Sequence, residues 1–225
     1  MTKILFVTTS HGDVGGLPTT GIWLSEFAEP YAHCVAQGVE VVVASPRGGP
    51  APVDPRGYPA TAVIAEYRDA LERLNATLPL AGITHDGFDG IFMPGGHGPM
   101  FDLATHPALK ALIAAFWSAG KPVGSVCHGP ASLLEVVLPG GTTLLRGRRV
   151  TGFTREEDAQ DPLFAHMPFS LQGRMEREGA SFVAGPAHQP HVQVDGLLVT
   201  GQNPQSGLAA GRAFLQLVEA GGQPL

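Results

Sequence analysis

Short apolar runs rich in β-branched residues alternate along the chain with longer segments of helical period. Helices between near-continuous apolar strands are typical of parallel strands joined by crossover helices, with both faces of the sheet covered. The pattern predicts an α/β fold with a mostly parallel central sheet, in which ligands bind beyond the carboxyl ends of the strands. The predicted strands cover residues 3–9, 39–44, 90–93, 122–126, 149–152 and 197–200. The predicted helices cover residues 21–37, 107–119, 129–137, 168–178 and 204–219.

One stretch, residues 46–59, departs from this alternation because it is rich in proline and glycine. Such a stretch forms neither a long helix nor a central strand. The segment that follows, residues 62–78, has a helical pattern. We therefore predict a single domain over residues 1–225, with an insertion at about 46–88.

Composition and charge exclude several classes of protein. Only 15% of the 225 residues are charged and 44% are hydrophobic, which excludes a charge-rich disordered chain. The net charge of −6 and the single basic cluster at residues 146–149 do not fit a nucleic-acid partner. The apolar runs are shorter than the roughly 20 residues that a membrane helix needs, so no membrane partner is expected.

The start of the chain and its two cysteines indicate a compartment. The apolar run after Met1 is too brief for a secretory signal, and two cysteines do not make a disulfide framework. We therefore expect a cytoplasmic protein with free thiols. Cys34 lies at helical spacing from Tyr31, and both are interpreted as core, as are Trp23 and Phe27 on the same predicted helix.

The remaining thiol, Cys127, ends an apolar strand and directly precedes His128-Gly129-Pro130. Because proline suits the first turn of a helix, Cys127 is expected on a tight strand-to-helix turn, which lifts a nucleophile above the sheet. The N–H groups of a helix N-terminus lower the pKa of a thiol there. A buried structural cysteine is the common alternative, but the His-Gly-Pro that follows favours a reactive thiol.

A glycine-rich loop at residues 94–99 follows another predicted strand. Consecutive glycines let backbone N–H groups face a ligand, as an oxyanion hole requires, although many such loops only reverse the chain. The loop lacks the spacing of a nucleotide-binding motif, so neither a dinucleotide nor ATP is expected. The histidines form no HExxH motif, and His188 and His191 beside a proline are interpreted as loop residues. We expect no metal and no cofactor.

Acidic side chains follow two predicted strand ends. Glu26 lies on the first predicted helix and could reach the crevice, although a lone helical glutamate is commonly solvated. Glu156, Glu157 and Asp158 lie beyond a later strand. One of them could orient His128, as the third member of a catalytic triad does. Spacing alone does not choose among the three.

Together, these motifs resemble the DJ-1/PfpI superfamily, and more narrowly its Hsp31-like branch of glyoxalase III enzymes and stress chaperones. The resemblance covers nearly the whole chain in the right order. It implies a flavodoxin-like three-layer α/β sandwich, related to class I glutamine amidotransferase domains, and a homodimer. The motifs that carry it are Thr20-Gly21…Glu26…Pro30, Pro94-Gly95-Gly96-His97-Gly98-Pro99, Val126-Cys127-His128-Gly129-Pro130-Ala131, Val150-Thr151-Gly152-Phe153 and Thr200-Gly201-Gln202-Asn203-Pro204-Gln205-Ser206.

The resemblance also implies roles for individual residues. Cys127 would be the nucleophile, Glu26 a protonated acid beside the thiol, and His128 the histidine that follows the nucleophile. Asp158 falls where this branch places its third triad acid, with Glu157 as second choice, and some relatives have the longer glutamate there. The implied oxyanion and substrate-binding positions are Gly95, Gly96 and Gly129.

The activity implied is a cofactor-independent, cysteine-dependent conversion of methylglyoxal and similar 2-oxoaldehydes to lactate, with a role in stress and detoxification. The partner would be a small reactive aldehyde, and the N–H groups of Gly96 and His128 would form the oxyanion hole.

A holdase chaperone or a protein deglycase, acting on unfolded or glycated proteins, is one alternative. A cysteine amidase or peptidase is another. It requires His128 to reach Cys127 through a sharply bent elbow or from another subunit, because adjacent residues of an extended strand point to opposite sides.

Overall fold

A computed structural model describes residues 1–15, 17–18, 20–58 and 67–223. Its strands are β1 (Lys3–Val7), β2 (Asp13–Val14), β3 (Leu17–Pro18), β4 (Glu40–Ser45), β5 (Leu78–Pro79), β6 (Gly90–Met93), β7 (Val123–Val126), β8 (Arg149–Val150), β9 (Ser181–Phe182), β10 (Val192–Asp195) and β11 (Leu198–Gly201). Its α-helices are α1 (Leu24–Ala36), α2 (Arg68–Asn75), α3 (Pro107–Ser118), α4 (Arg155–Asp158), α5 (Leu171–Arg177) and α6 (Gly207–Glu219). No helix within these ranges is long and apolar enough to cross a membrane.

Seven strands form the central sheet, in the order β10-β11-β7-β6-β1-β4-β5. Neighbouring strands run parallel except β10 and β11, which pair antiparallel at one edge. Two short pairs, β2 with β3 and β8 with β9, lie outside this sheet.

Alternate residues of β1 show how the layers are held together. Ile4 and Phe6 belong to one hydrophobic cluster with residues of α1 and α6, whereas Leu5 and Val7 belong to a second cluster with residues of α3. Successive strand residues point to opposite faces, so a sheet covered on both faces requires an unbroken apolar run. This arrangement confirms the predicted three-layer α/β sandwich with a mostly parallel sheet.

Three segments differ from the sequence-based prediction. Residues 129–137 form only a short 3-10 helix, Gly129–Leu133, because the chain then becomes extended at Leu134 and Glu135 takes a φ of 57°. The strand predicted at 149–152 is β8, which pairs with β9 instead of joining the central sheet. The helix predicted over 62–78 is too long at its end, since Leu78 lies in β5, and residues 59–66 are outside the described ranges.

The order of the strands places a crevice at the carboxyl edge of the sheet. From β1 the chain passes to β4 on one side, and it later returns to β6 on the other side of β1. Such a reversal leaves a crevice between the two crossovers, where α/β proteins bind their ligands. The loops that follow β6 and β7 open at this edge. The prediction of one domain with an insertion at about 46–88 stays a prediction.

Candidate active site

Cys127 follows β7 directly and has a φ of 60°, in the left-handed region. This conformation costs a non-glycine residue about 1–2 kcal/mol, and hydrogen bonds on both sides hold it in place. The N–H of Cys127 donates to the carbonyl of Gly201 at 3.0 Å, and the N–H of Phe153 donates to the carbonyl of Cys127 at 2.9 Å. The result is the sharp elbow that exposes a nucleophile at the top of a sheet.

Gly129 allows this elbow to pack against the neighbouring strand. A Cβ at this position would lie 2.3 Å from the carbonyl oxygen of Met93 and 2.6 Å from Oγ of Ser125. Both distances are far below van der Waals contact, so a side chain at residue 129 would push the elbow away from β6. Gly129, predicted as a substrate-binding position, thus packs against the strand ends and is not part of the cavity wall.

Gly95 and Gly96 bring the loop after β6 onto the same thiol. A Cβ on Gly95 would lie 2.5 Å from Oε2 of Glu26 and 2.8 Å from Cβ of Cys127. Gly96 has a φ of 88°, and a Cβ there would lie 2.3 Å from the carbonyl oxygen of Gly21. Of the two, Gly96 lines the cavity in front of the thiol, whereas Gly95 faces Glu26.

Glu26 lies in the first turn of α1 and is fully buried. The polar groups that face its carboxyl are the thiol of Cys127 and the N–H groups of Gly95 and Gly96. None of these contacts has regular hydrogen-bond geometry, and neither carboxyl oxygen has a partner among the described residues. Burial raises the pKa of Glu26 to about 8, and the three contacts offset only part of this effect. The carboxyl is therefore protonated near neutral pH and can donate a hydrogen bond to the sulfur.

The thiol of Cys127 is itself only 4% exposed. Burial raises its pKa, a negative charge on Glu26 would raise it further, and the N–H groups of Gly96 and His128 act in the opposite direction. The predicted lowering of the thiol pKa stays a prediction, and burial opposes it. The element that follows the thiol is a five-residue 3-10 helix, Gly129–Leu133. Protonation of Glu26 removes one of the two effects that oppose a thiolate.

His128 connects the thiol to an acid. Its Nδ1 lies 3.6 Å from Sγ of Cys127, and its Nε2 lies 2.9 Å from Oδ1 of Asp158. The side chains of His128 and Asp158 are almost completely buried. Because the chain bends sharply at Cys127, two adjacent side chains meet on the same side. The geometric objection to a Cys–His–Asp arrangement within one subunit is thus removed.

The two neighbouring acids of α4 do not contact His128. Glu156 is exposed, and Glu157 forms a capping box with Thr154 at the start of α4. Oε1 of Glu157 also accepts hydrogen bonds from the backbone N–H of His188 and from Nδ2 of Asn203, both at 2.8 Å. Glu157 therefore fixes the orientation of α4, which leaves Asp158 facing His128.

A cavity of about 290 Å³ opens in front of Cys127. This volume suits a small molecule. Trp23 lines the cavity. The sequence-based interpretation of this residue as part of the core therefore has to be corrected. Its position between a strand end and the start of α1 is the signal that could have shown this. The wall residues for which the sequence predicts no binding role are Trp23, His97, Phe153, Asp161, His188, Pro204 and Gln205.

The two histidines at 188 and 191 contact different residues, and only one of them lies at the cavity. His188 lies at the cavity with its Nε2 3.1 Å from Oε1 of Gln160, whereas Nε2 of His191 lies 3.0 Å from Nε2 of Gln193. Within the described ranges, no three side chains of His, Cys, Asp or Glu are grouped so as to hold a metal ion.

Fold and site together define a flavodoxin-like α/β protein with a cysteine elbow and a buried histidine–aspartate pair at the switch point of its sheet. The chain belongs to the DJ-1/PfpI family, whose model matches residues 19–217.

Known proteins similar to the chain include fungal glyoxalases. It is 25% identical over 230 residues to Glyoxalase 3 of Candida albicans, covering 92% of this chain and 94% of the relative. It is 27% identical over 226 residues to the glutathione-independent glyoxalase hsp3101 of Schizosaccharomyces pombe, covering 89% and 88%. Among solved structures, the Rapid Encystment Protein 24 KDa of Francisella tularensis superposes with a TM-score of 0.90 at 29% identity, covering 97% of this chain and 99% of that one.

Proposed function

We propose that the protein is a cofactor-independent glyoxalase that converts methylglyoxal and related 2-oxoaldehydes to 2-hydroxy acids such as lactate. The observation that carries this proposal is the buried Glu26, whose raised pKa of about 8 keeps a proton beside the thiol of Cys127. The fungal relatives named as glyoxalases, which align along most of this chain, support the same activity.

The first step is addition of the thiol to the aldehyde. A bond forms between Sγ of Cys127 and C1 of the substrate, and the thiol proton passes through Nδ1 of His128 to the aldehyde oxygen. The product is a hemithioacetal. The N–H groups of Gly96 and His128, which face the sulfur, would stabilise charge on this oxygen.

The second step moves hydrogen between the two former carbonyl carbons. His128, neutral again after the first step, removes the proton from C1, and the oxygen on C2 gains a proton from His128 or from the protonated Glu26, which gives an enediol. Return of a proton to C2 and loss of the proton from the C1 hydroxyl leave a thioester. Water then hydrolyses the thioester, which releases the 2-hydroxy acid and the free thiol. The net reaction converts one 2-oxoaldehyde and one water into one 2-hydroxy acid, so no oxidant or reductant is needed.

Asp158 would support His128 in both steps. A carboxylate 2.9 Å from Nε2 accepts a hydrogen bond from the N–H at that nitrogen, which leaves the lone pair of Nδ1 facing the sulfur. It also stabilises the imidazolium that forms when His128 takes up the thiol proton.

The test is formation of lactate from methylglyoxal by purified protein in the absence of glutathione. Cys127→Ala and Glu26→Gln are expected to lose activity by at least about 10²-fold, as removal of a nucleophile or an acid–base group does. Cys34→Ala is the matched control, because burial raises the pKa of that second thiol to about 12 and keeps it inert. Lactate formation at the wild-type rate by Cys127→Ala would overturn the proposal.

Peptide hydrolysis is the less favoured activity, although the Cys–His–Asp geometry itself permits it. The cavity of about 290 Å³ and the small exposed fraction of Cys127 favour a small molecule over a polypeptide segment. A stress role, a homodimer, and holdase or deglycase activity stay predictions from the family resemblance, and a cytoplasmic location stays a prediction from the sequence.

A further inference from the structure

A second histidine, His97, lies at the cavity but has no place in the mechanism above. It stands in the loop after β6 and is 3% exposed. Its ring centroid is 4.7 Å from that of His128. The N–H of Gly98 donates to the carbonyl of Gly21 at 3.2 Å, and the N–H of Met100 donates to the carbonyl of His97 at 3.0 Å. The backbone of His97 is therefore fixed from both sides.

The Nδ1 edge of His97 faces a salt bridge. Arg56 pairs with Asp54 through two hydrogen bonds, from Nη2 to Oδ2 at 2.7 Å and from Nε to Oδ1 at 3.0 Å. Nη2 of Arg56 also lies 3.1 Å from Nδ1 of His97, whereas Oδ2 of Asp54 is 3.9 Å from that nitrogen. A guanidinium can only donate hydrogen bonds, so Nδ1 accepts and carries no proton.

Because Nδ1 is the acceptor, the neutral imidazole of His97 carries its proton on Nε2. Burial lowers the pKa of His97, Asp54 and Asp161 partly oppose this, and the charges of His128 and Arg56 act with burial. The ring is therefore neutral near neutral pH. Among the described residues, the Nε2 donor has no hydrogen-bond partner. The nearest acidic atom, Oδ2 of Asp161, is 3.6 Å away, beyond a regular hydrogen bond.

A buried donor without a partner costs about 1–3 kcal/mol, so such a group calls for an explanation. Arg56 and Asp54, on the Nδ1 side, are absent from the cavity wall, whereas Asp161, on the Nε2 side, is part of it. Because His97 and Cys127 line the same cavity, the space in front of Cys127 is within reach of this unpaired N–H. A bound molecule can supply the missing acceptor there.

We propose that Nε2–H of His97 donates a hydrogen bond to the oxygen on C2 of a 2-oxoaldehyde whose C1 is attached to Cys127. This inference rests on the proposed glyoxalase function and adds a residue that selects for the second carbonyl. The C2 oxygen gains negative charge as the proton leaves C1, and a fixed neutral donor stabilises that charge without a compensating proton transfer. A simple aldehyde has no C2 oxygen and cannot use this contact. Arg56 and Asp54 position His97 and touch no substrate atom.

Two substitutions of His97 distinguish the effect of its N–H donor from the effect of its aromatic ring. His97→Phe keeps a ring against His128 and removes both nitrogens, and His97→Gln keeps an N–H near the position of Nε2. His166→Gln, on an exposed histidine, is the matched control. The first readout is lactate formation from methylglyoxal. His97→Phe should lower kcat by about 10²-fold, as loss of an oxyanion donor does, and His97→Gln should stay within about tenfold of wild type.

The second readout needs no turnover. Alkylation of Cys127 by iodoacetamide is followed by mass spectrometry, and the protection by methylglyoxal is compared with the protection by propionaldehyde. A substitution that changes the reactivity of the thiol affects both protection constants equally, so their ratio is unchanged by such an effect. His97→Phe should reduce the preference for methylglyoxal by about tenfold, the effect of one lost hydrogen bond, while His97→Gln and His166→Gln keep it.

The two readouts distinguish the two hypotheses. If wild-type protein forms no lactate but its preference for methylglyoxal depends on His97, the glyoxalase proposal fails and the assignment of His97 stands. If lactate forms and His97→Phe leaves the preference unchanged, the assignment is wrong and the glyoxalase proposal stands. Equal loss of activity in the Phe and Gln variants with an unchanged preference also overturns it, because that result describes a purely structural role.

Discussion

Substitution of Glu26 by glutamine tests whether a protonated carboxyl is buried beside the thiol. The pKa of Glu26 rises from 4.5 in water to about 8 in the folded protein. Between these values the folded protein holds a proton that the unfolded chain releases. Stability from this group is therefore fully present below about pH 4.5 and is lost as the pH rises through about 8. Glutamine has a similar shape and no titrating proton, so the variant lacks this dependence.

The size of the effect follows from the pKa difference. One pKa unit corresponds to about 1.4 kcal/mol. The free energy of unfolding of Glu26→Gln, relative to wild type, should therefore rise by about 1.4 kcal/mol for each pH unit between 4.5 and 8, and by about 5 kcal/mol over the whole range. The carboxyl is fully buried, so solvent screens little of this difference.

The assay is urea unfolding of both proteins at several pH values between 4.5 and 8. Glu156→Gln is the matched control, because Glu156 is an exposed acid, and its stability difference from wild type should not change with pH. If the curves for Glu26→Gln and wild type run parallel across this range, Glu26 titrates normally in the folded protein. The assignment of a resident proton to it would then be wrong.

Two further substitutions test the support of the elbow. Asp158→Asn should lower kcat/KM for methylglyoxal by about 10²–10⁴-fold, because an amide can donate to Nε2 of His128 and place its proton on Nδ1. Activity close to that of Glu156→Gln would show that Asp158 does not orient the histidine. Gly129→Ala should lower the free energy of unfolding by about 1–3 kcal/mol, since its Cβ would lie 2.3 Å from the carbonyl oxygen of Met93. Urea unfolding measures this loss, and wild-type stability would contradict the packing described here.

The sheet was predictable where strands are buried on both faces, because such strands are short continuous apolar runs. The run at Gly90–Met93 and residues 4–7 of β1 are of this kind. The strands Leu78–Pro79 and Val192–Asp195 lie at the edges of the sheet and are partly or fully exposed. They carry no such signal, and β5 has only two residues. Residues 129–137 misled the prediction because Leu133, Leu134 and Val136 are all buried, which produces an apolar pattern without a regular helix.

The site was predictable where its chemistry is local in sequence. Cys127 and His128 are adjacent, and Glu26 lies on the helix that begins near the end of the first strand. The choice among the three acids of α4 was not predictable, because it depends on how α4 is oriented. That orientation follows from the contacts of Glu157 with Asn203 and with the backbone of His188, which are distant in sequence.

Distance along the chain also explains why residues 46–59 have no role in the sequence-based prediction. The N–H of Ile22 donates to the carbonyl of Pro52 at 2.8 Å, and the N–H of Asp54 donates to the carbonyl of Ile22 at 2.9 Å. These bonds carry Asp54 and Arg56 to His97, which is far away in sequence. Through Asp54 and Arg56, the proline-rich stretch therefore supports His97, a residue of the cavity wall, from the side away from the cavity.

The two groups thus held beside Cys127 share one property. Glu26 and His97 are both buried in the neutral, proton-bearing form, with the pKa of the acid raised and that of the histidine lowered. A neutral donor loses less by burial than an ion does, and it stabilises negative charge only when that charge appears. One donor faces the sulfur, and the other is within reach of the space in front of it. A reaction that develops charge first on the sulfur and then on a substrate oxygen three bonds beyond it makes use of both.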